Sequence, residues 1–189
     1  AYLFINVFLL LSGWLFFQDF FLNGQADMRP FFDLIPWLFL FLIPAITMRV
    51  FAEEKKLGTL ELLLTMPLKE YHLVMGKFLS CLLILLFTLM LSFPIPLIVA
   101  YSGSVDLGVI FASYLGALLL GASYIVIGIF LSSFTDNQII AFLMSVSVCF
   151  LFLIIGQLFV LQNLPSLMAP VFQFFGLGAH FTSIARGVI

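Results

Sequence analysis

Apolar residues run along this chain in long blocks separated by short polar gaps. Five blocks, at 1–22, 31–50, 78–101, 109–131 and 139–161, carry almost no charge. Each is close to the roughly 20 residues a helix needs to cross the hydrocarbon core of a bilayer. Pro36 and Pro44 interrupt the second block, and Pro94 and Pro96 fall near the far end of the third. Proline inside a span is tolerated where neighbouring helices satisfy the freed carbonyls, so these positions predict kinked helices packed in a bundle. After Leu161 the pattern breaks, because Pro165, Pro170, Gly176 and Gly178 interrupt it every few residues. The stretch 162–189 predicts short helices lying at or dipping into the interface; one badly broken sixth span is the alternative.

The pattern therefore predicts an all-α membrane protein, a polytopic helical bundle with about five transmembrane helices in one transmembrane domain, 1–189. Composition supports it. Hydrophobic residues make up 64% of the chain and charged residues 8%, whereas a soluble domain carries about a quarter charged. A chain so poor in charge cannot coat a water-facing surface. Its 25 phenylalanines suit lipid contact better than a compact aqueous core. The net charge of −2 is too small to point to nucleic acid or an acidic ligand. Cys81 and Cys149 fall inside apolar blocks and read as buried thiols. At Ala1 the chain is already inside an apolar block, with no basic region and no small-residue cleavage site, so no signal peptide is expected. Both ends look cut, and a longer natural protein is expected.

Lysine and arginine set the expected orientation. Five of the seven lie between Arg49 and Lys77, the connection from the second block to the third. That connection is expected in the cytoplasm, with 23–30, 102–108 and the stretch after Leu161 on the outer side.

The connection 51–77 is too patterned for a bare linker. With Arg49 it holds nine of the chain's sixteen charged residues. Thr59, Leu60, Leu63 and Leu64 form an apolar stripe at helical spacing. Gly58 frees the turn before it, and Pro67 ends it, since the residue before proline is biased away from helix. A second amphipathic piece, 69–75, leads into Gly76 and Lys77. Such a helix at a membrane surface has two readings. Its leucines sit in the lipid boundary, or it presents a face to a soluble partner.

The run Glu53-Glu54-Lys55-Lys56-Leu57-Gly58-Thr59-Leu60-Glu61-Leu62-Leu63-Leu64-Thr65-Met66-Pro67-Leu68, followed by Gly76-Lys77, resembles the cytoplasmic signature of ABC transporter permeases of the type-2, or export, class. The nearest likeness is to bacterial permeases grouped with gliding-motility and copper-enzyme-maturation exporters. The resemblance implies a permease subunit of an ATP-driven exporter in the bacterial inner (cytoplasmic) membrane. It implies a homo- or heterodimer with a second permease subunit, and separate ABC ATPase subunits that bind ATP and Mg2+, no cofactor being held by this chain. It implies that the loop helix couples to the ATPase. By position, Glu53, Glu54 and Lys55 belong to the charged cluster at its start, and Glu53 and Glu54 would contact the ATPase or a preceding amphipathic helix. Gly58 and Thr59 would set the helix angle, Glu61 would cap or dock, and Pro67 would fix the exit. It also implies an amphipathic helix before Ala1 and a sixth span after Ile189.

Other classes find less support. Ionisable residues inside spans mark transport or catalytic sites, and Asp19 and Asp33 lie near span ends. The hydroxyls and amide that could line a path are Thr47, Ser80, Thr88, Ser92, Ser123, Ser145, Ser147 and Gln157, residue types that more often serve close packing. His72 and His180 share no depth with a candidate serine, so an intramembrane enzyme lacks its geometry. No Gly-rich phosphate loop is present, so ATP hydrolysis is not expected in this chain; nor is there a Cys/His metal cluster. A non-transporting membrane scaffold with an interfacial helix is the alternative.

Overall fold

The computed structural model describes residues 2–23, 28–65, 69–102, 107–157, 160, 162, 172–174 and 176–185. Every regular element among them is a helix: α1 (Tyr2–Asn23), α2 (Arg29–Thr47), α3 (Arg49–Lys56), α4 (Thr59–Leu64), α5 (Glu70–Ser92), α6 (Pro94–Ser102), α7 (Leu107–Ser132), α8 (Gln138–Ile155) and α9 (Leu177–Ala185). Four helical segments are long and apolar enough to cross a membrane: Arg29–Lys56, Glu70–Val99, Gly108–Ser132 and Gln138–Ile155. In α1 the corresponding apolar stretch is the shorter Leu3–Gln18. The chain is an all-α, multi-pass membrane bundle.

Several boundaries differ from the sequence expectation, each for a local reason. Pro36 and Pro44 lie inside α2, which runs through both. The Met48 N–H still reaches the Pro44 carbonyl at 2.8 Å, so α3 continues from α2 well past the expected end at Val50. The amphipathic piece expected at 69–75 is the opening of α5, which starts at Glu70. At the far end of α5 the Phe93 N–H bonds the Met90 carbonyl, one residue short of the α-helical partner. Pro94 then opens α6, where its missing N–H costs nothing. The Asn137 side-chain oxygen accepts from the Ile139 N–H at 3.0 Å and caps α8. With 18 residues α8 is about 27 Å long, slightly less than the ~30 Å hydrocarbon core.

Lipid tails are as apolar as leucine, so helices in a bilayer associate through close packing rather than through water exclusion. The core lies between α2 and α7, with Ile35, Phe39 and Ile43 of α2 against Ala117, Tyr124 and Ile125 of α7. A Cβ at position 128 would overlap the Thr47 side chain, so with threonine at 47 the α2–α7 contact leaves no room for a side chain in place of Gly128. Edge-to-face rings tie in the flanking helices: Phe16 meets Phe31 at 5.7 Å and Phe32 meets Tyr114 at 5.4 Å. On α8 the buried residues are Ala141, Ser145, Cys149 and Leu153, one stripe at a spacing of four. The rest of its surface carries exposed Ile139, Leu143, Phe150 and Leu151, as suits a lipid-facing helix. In α9, Phe181 is buried and the helix packs on α7 and α8.

Candidate coupling site

The charged end of the bundle is built around α3. Continuing α2, this helix carries Arg49, Glu53, Glu54, Lys55 and Lys56 beyond the apolar block. It stops where the Leu57 N–H closes on the Glu53 carbonyl and the Gly58 N–H on the Lys55 carbonyl, both at 3.0 Å. Gly58 has φ +69°, the left-handed region, where a Cβ would crowd the backbone and glycine does not. The reversal lets α4 start at once, and the Thr59 hydroxyl donates back to the Glu54 carbonyl at 3.3 Å.

Two lysines fasten α3 to different parts of the bundle. Lys77, on α5, donates to the Val50 carbonyl at 2.6 Å and to the Glu54 carboxylate. Its ammonium also lies 3.9 Å from the centre of the Phe51 ring, close enough for a cation–π contact. The pair is largely sheltered, with 13% of the Lys77 side chain and 30% of Glu54 exposed. On the other side Lys55 donates to the Ser133 carbonyl at 2.6 Å, in the turn between α7 and α8. It lies 4.0 Å from the carboxylate of Asp136, which is 73% exposed.

The residues singled out from sequence therefore divide. Glu53 and Glu54 line a cavity between α3 and α5, and Lys55 turns toward the α7–α8 turn. Gly58 makes the corner. Thr59 and Glu61 are exposed on α4. Pro67 lies outside the described residues. The partners of α3, namely Lys77, Ser133 and Asp136, were not identified from the sequence. Lys77 did leave a signal: a lysine one residue before an apolar block of α5, where a charge requires a partner. The others left none, because Lys55 and Ser133 are 78 residues apart.

The hydroxyls considered for a path mostly return to their own helix. Thr47 donates to the Ile43 carbonyl, Ser80 to Gly76, Thr88 to Ile84, Ser92 to Leu89, Ser123 to Leu119 and Ser147 to Leu143. Satisfied in this way, they can sit among apolar neighbours. Among the described residues the buried Ser145 hydroxyl has no hydrogen-bond partner, and neither has that of Tyr124.

Comparison with known proteins bears on the whole of this arrangement. A family model described as ABC-2 family transporter protein matches residues 7–185, which include all of α2 to α9. No curated protein and no solved structure matches the chain. A multi-pass helical bundle with a charged, helix-bearing connection between its second and third apolar blocks, matched over nearly its full length, belongs to the ABC-2 transporter family as a membrane permease component of an ABC transporter.

Proposed function

We propose that this permease forms the translocation path of an ATP-driven exporter in the bacterial cytoplasmic membrane. It works as a dimer and couples through α4 to separate ATPase subunits that bind ATP and Mg2+. The observation that carries this reading is the mounting of α4. A short helix that exposes Thr59 and Glu61 while Leu60 packs back on the core leaves α3 at a corner made by Gly58, and α3 is tied by Lys77 to α5 and by Lys55 to the α7–α8 turn. A helix used only to float in the lipid boundary has no need of such fastening. A helix that must transmit a push does, because closure of an ATPase pair moves the spans only through a rigid connection. In this reading Thr59 and Glu61 meet the ATPase, while Glu54 and Lys55 hold the lever to the bundle.

Affinity capture tests it. The full-length protein is co-expressed with each ABC ATPase subunit of its source genome in turn, and the ATPase recovered is compared for the native protein and for Glu61→Lys. Recovery with the native protein and its loss with the reversed charge is the expected result. Equal recovery from both, or none from either, sinks the docking role of α4 and leaves an interfacial helix.

A further inference from the structure

A cavity of about 750 Å3 lies at the charged end, walled by α1, α2–α3 and α5. That volume is in the range of sites that enclose small ligands, roughly 300–1,000 Å3. The walls are largely apolar, with Phe4, Ala45, Ile46, Val50, Leu73 and Ile84. Five charged or imidazole side chains join them, Arg49, Glu53, Glu54, His72 and Lys77, along with the Cys81 thiol. Lys77 and Glu54 neutralise one another. Arg49 and His72 are exposed at the cavity's rim and Glu53 is half-buried; among the described residues their side chains form no hydrogen bond or ion pair, although Arg49 and Glu53 are one helical turn apart on α3. Among the described residues the cavity therefore offers one cation, one anion and one imidazole without a polar side-chain partner, above an apolar wall.

We propose that this cavity binds one zwitterionic phospholipid with a primary amine, of the phosphatidylethanolamine class. The Arg49 guanidinium and the His72 imidazole take the phosphate, since a guanidinium fork suits phosphate oxygens. Glu53 accepts hydrogen bonds from the ammonium, and an acyl chain runs along Phe4, Ile46 and Ile84. The charges decide the class. Basic pockets between spans take anionic headgroups, but here Glu53 balances Arg49, and an anionic lipid would leave Glu53 facing a phosphate. A quaternary amine has no N–H to give to Glu53. The site holds α1, α3 and α5 together through the lipid and is separate from the exposed surface of α4.

Native mass spectrometry of the full chain, released from nanodiscs of equal phosphatidylethanolamine, phosphatidylcholine and phosphatidylglycerol, reads the bound lipid. One phosphatidylethanolamine is expected to be retained in preference to the other two. Glu53→Gln removes the anion at nearly constant size. It should lower phosphatidylethanolamine retention about tenfold, the loss of one charge-assisted hydrogen bond, and shift preference to phosphatidylglycerol. Ile84→Trp, which fills the wall, should lower retention of all three. A switch of preference cannot come from misfolding, which loses every lipid alike. Equal retention of the three lipids by the native protein, or an unchanged preference in Glu53→Gln, overturns the proposal. Neither result bears on ATPase capture, which is read at Glu61.

Discussion

Replacing Lys77 by methionine removes one ammonium and keeps most of the stem. The ammonium serves three partners: the Val50 carbonyl, the Glu54 carboxylate and the Phe51 ring. Hydrogen bonds to charged groups contribute about 1.5–3 kcal/mol each, and an exposed cation–π contact about 0.5–1. Breaking a fully buried ion pair costs about 3–5 kcal/mol, because the survivor is stranded. Glu54 keeps 30% of its side chain in solvent, so water screens part of that cost, and the methionine sulfur still packs on Phe51. The sum for Lys77→Met comes to about 3 kcal/mol. For a domain of this size that lowers Tm by roughly 6–12 °C. Glu54→Gln, which keeps an acceptor and loses the charge, should cost about 1 kcal/mol. The double variant should cost about 2 rather than 4, since no charge is left stranded, which gives a coupling near 2 kcal/mol. Heating the purified protein in detergent and measuring the folded fraction by size-exclusion chromatography gives all four corners of the cycle. Lys56→Met, at an exposed lysine of the same helix, is the control and should stay within about 0.5 kcal/mol. Additive single effects, or a Lys77→Met protein as stable as the control, would refute the assignment of Lys77 as the fastening of α3.

Three further outcomes follow from the packing. A Cβ at position 58 meets no atom within 4 Å, so Gly58→Ala acts through backbone strain alone. It should speed amide hydrogen exchange over 57–64 about fivefold, for a cost near 1 kcal/mol, and Gly58→Asn should do so less, since asparagine visits the left-handed region. Gly128→Ala should cost about 1–3 kcal/mol in the same heating assay by wedging α2 from α7, and Thr47→Gly in the same chain should recover most of the loss. Tyr124→Phe removes a buried hydroxyl that has no partner among the described residues, so stability should hold or rise by up to about 1 kcal/mol; a fall of that size would show that the hydroxyl is bonded in the membrane.

The pattern of apolar blocks was enough to place the bundle, because a bilayer demands long uncharged helices and permits few alternatives. The corner at Gly58 and the start of α4 at Thr59 were legible too, since glycine before an apolar stripe is a local signal. The continuation of α2 to Lys56 was not. Arg49–Lys56 is as polar as a loop, and hydropathy cannot distinguish a loop from a helix that has left the membrane. The opening of α5 at Glu70 was hidden for the same reason. The fastening of α3 was least legible, because its partners are 27 and 78 residues away and no local pattern encodes a contact between distant segments. The cavity's charges were visible as residues, but their shared position was not.

The two fastenings of α3 are unequal, and that bears on how a push at α4 would travel. On the α5 side Lys77 makes a carbonyl bond, a sheltered ion pair and a ring contact. On the α7–α8 side Lys55 makes one carbonyl bond, and its Asp136 partner stands at 4.0 Å in solvent, a pair worth about 0–1 kcal/mol. Helix α3 also packs along α7 and α8, so the polar fastenings decide the direction only if they, and not this packing, carry the load; in that case the weaker one yields first and α3 moves with α5, away from the α7–α8 turn. A short bifunctional cross-linker between cysteines at positions 55 and 133, in a chain freed of Cys81 and Cys149, should then block transport-coupled ATP hydrolysis by the captured ATPase. The same cross-linker between positions 50 and 77 should leave hydrolysis intact, since it joins parts that already move together. If both cross-links block it equally, α3 parts from α5 as well, and the Lys77 contacts are a joint of the moving machine rather than its fixed side.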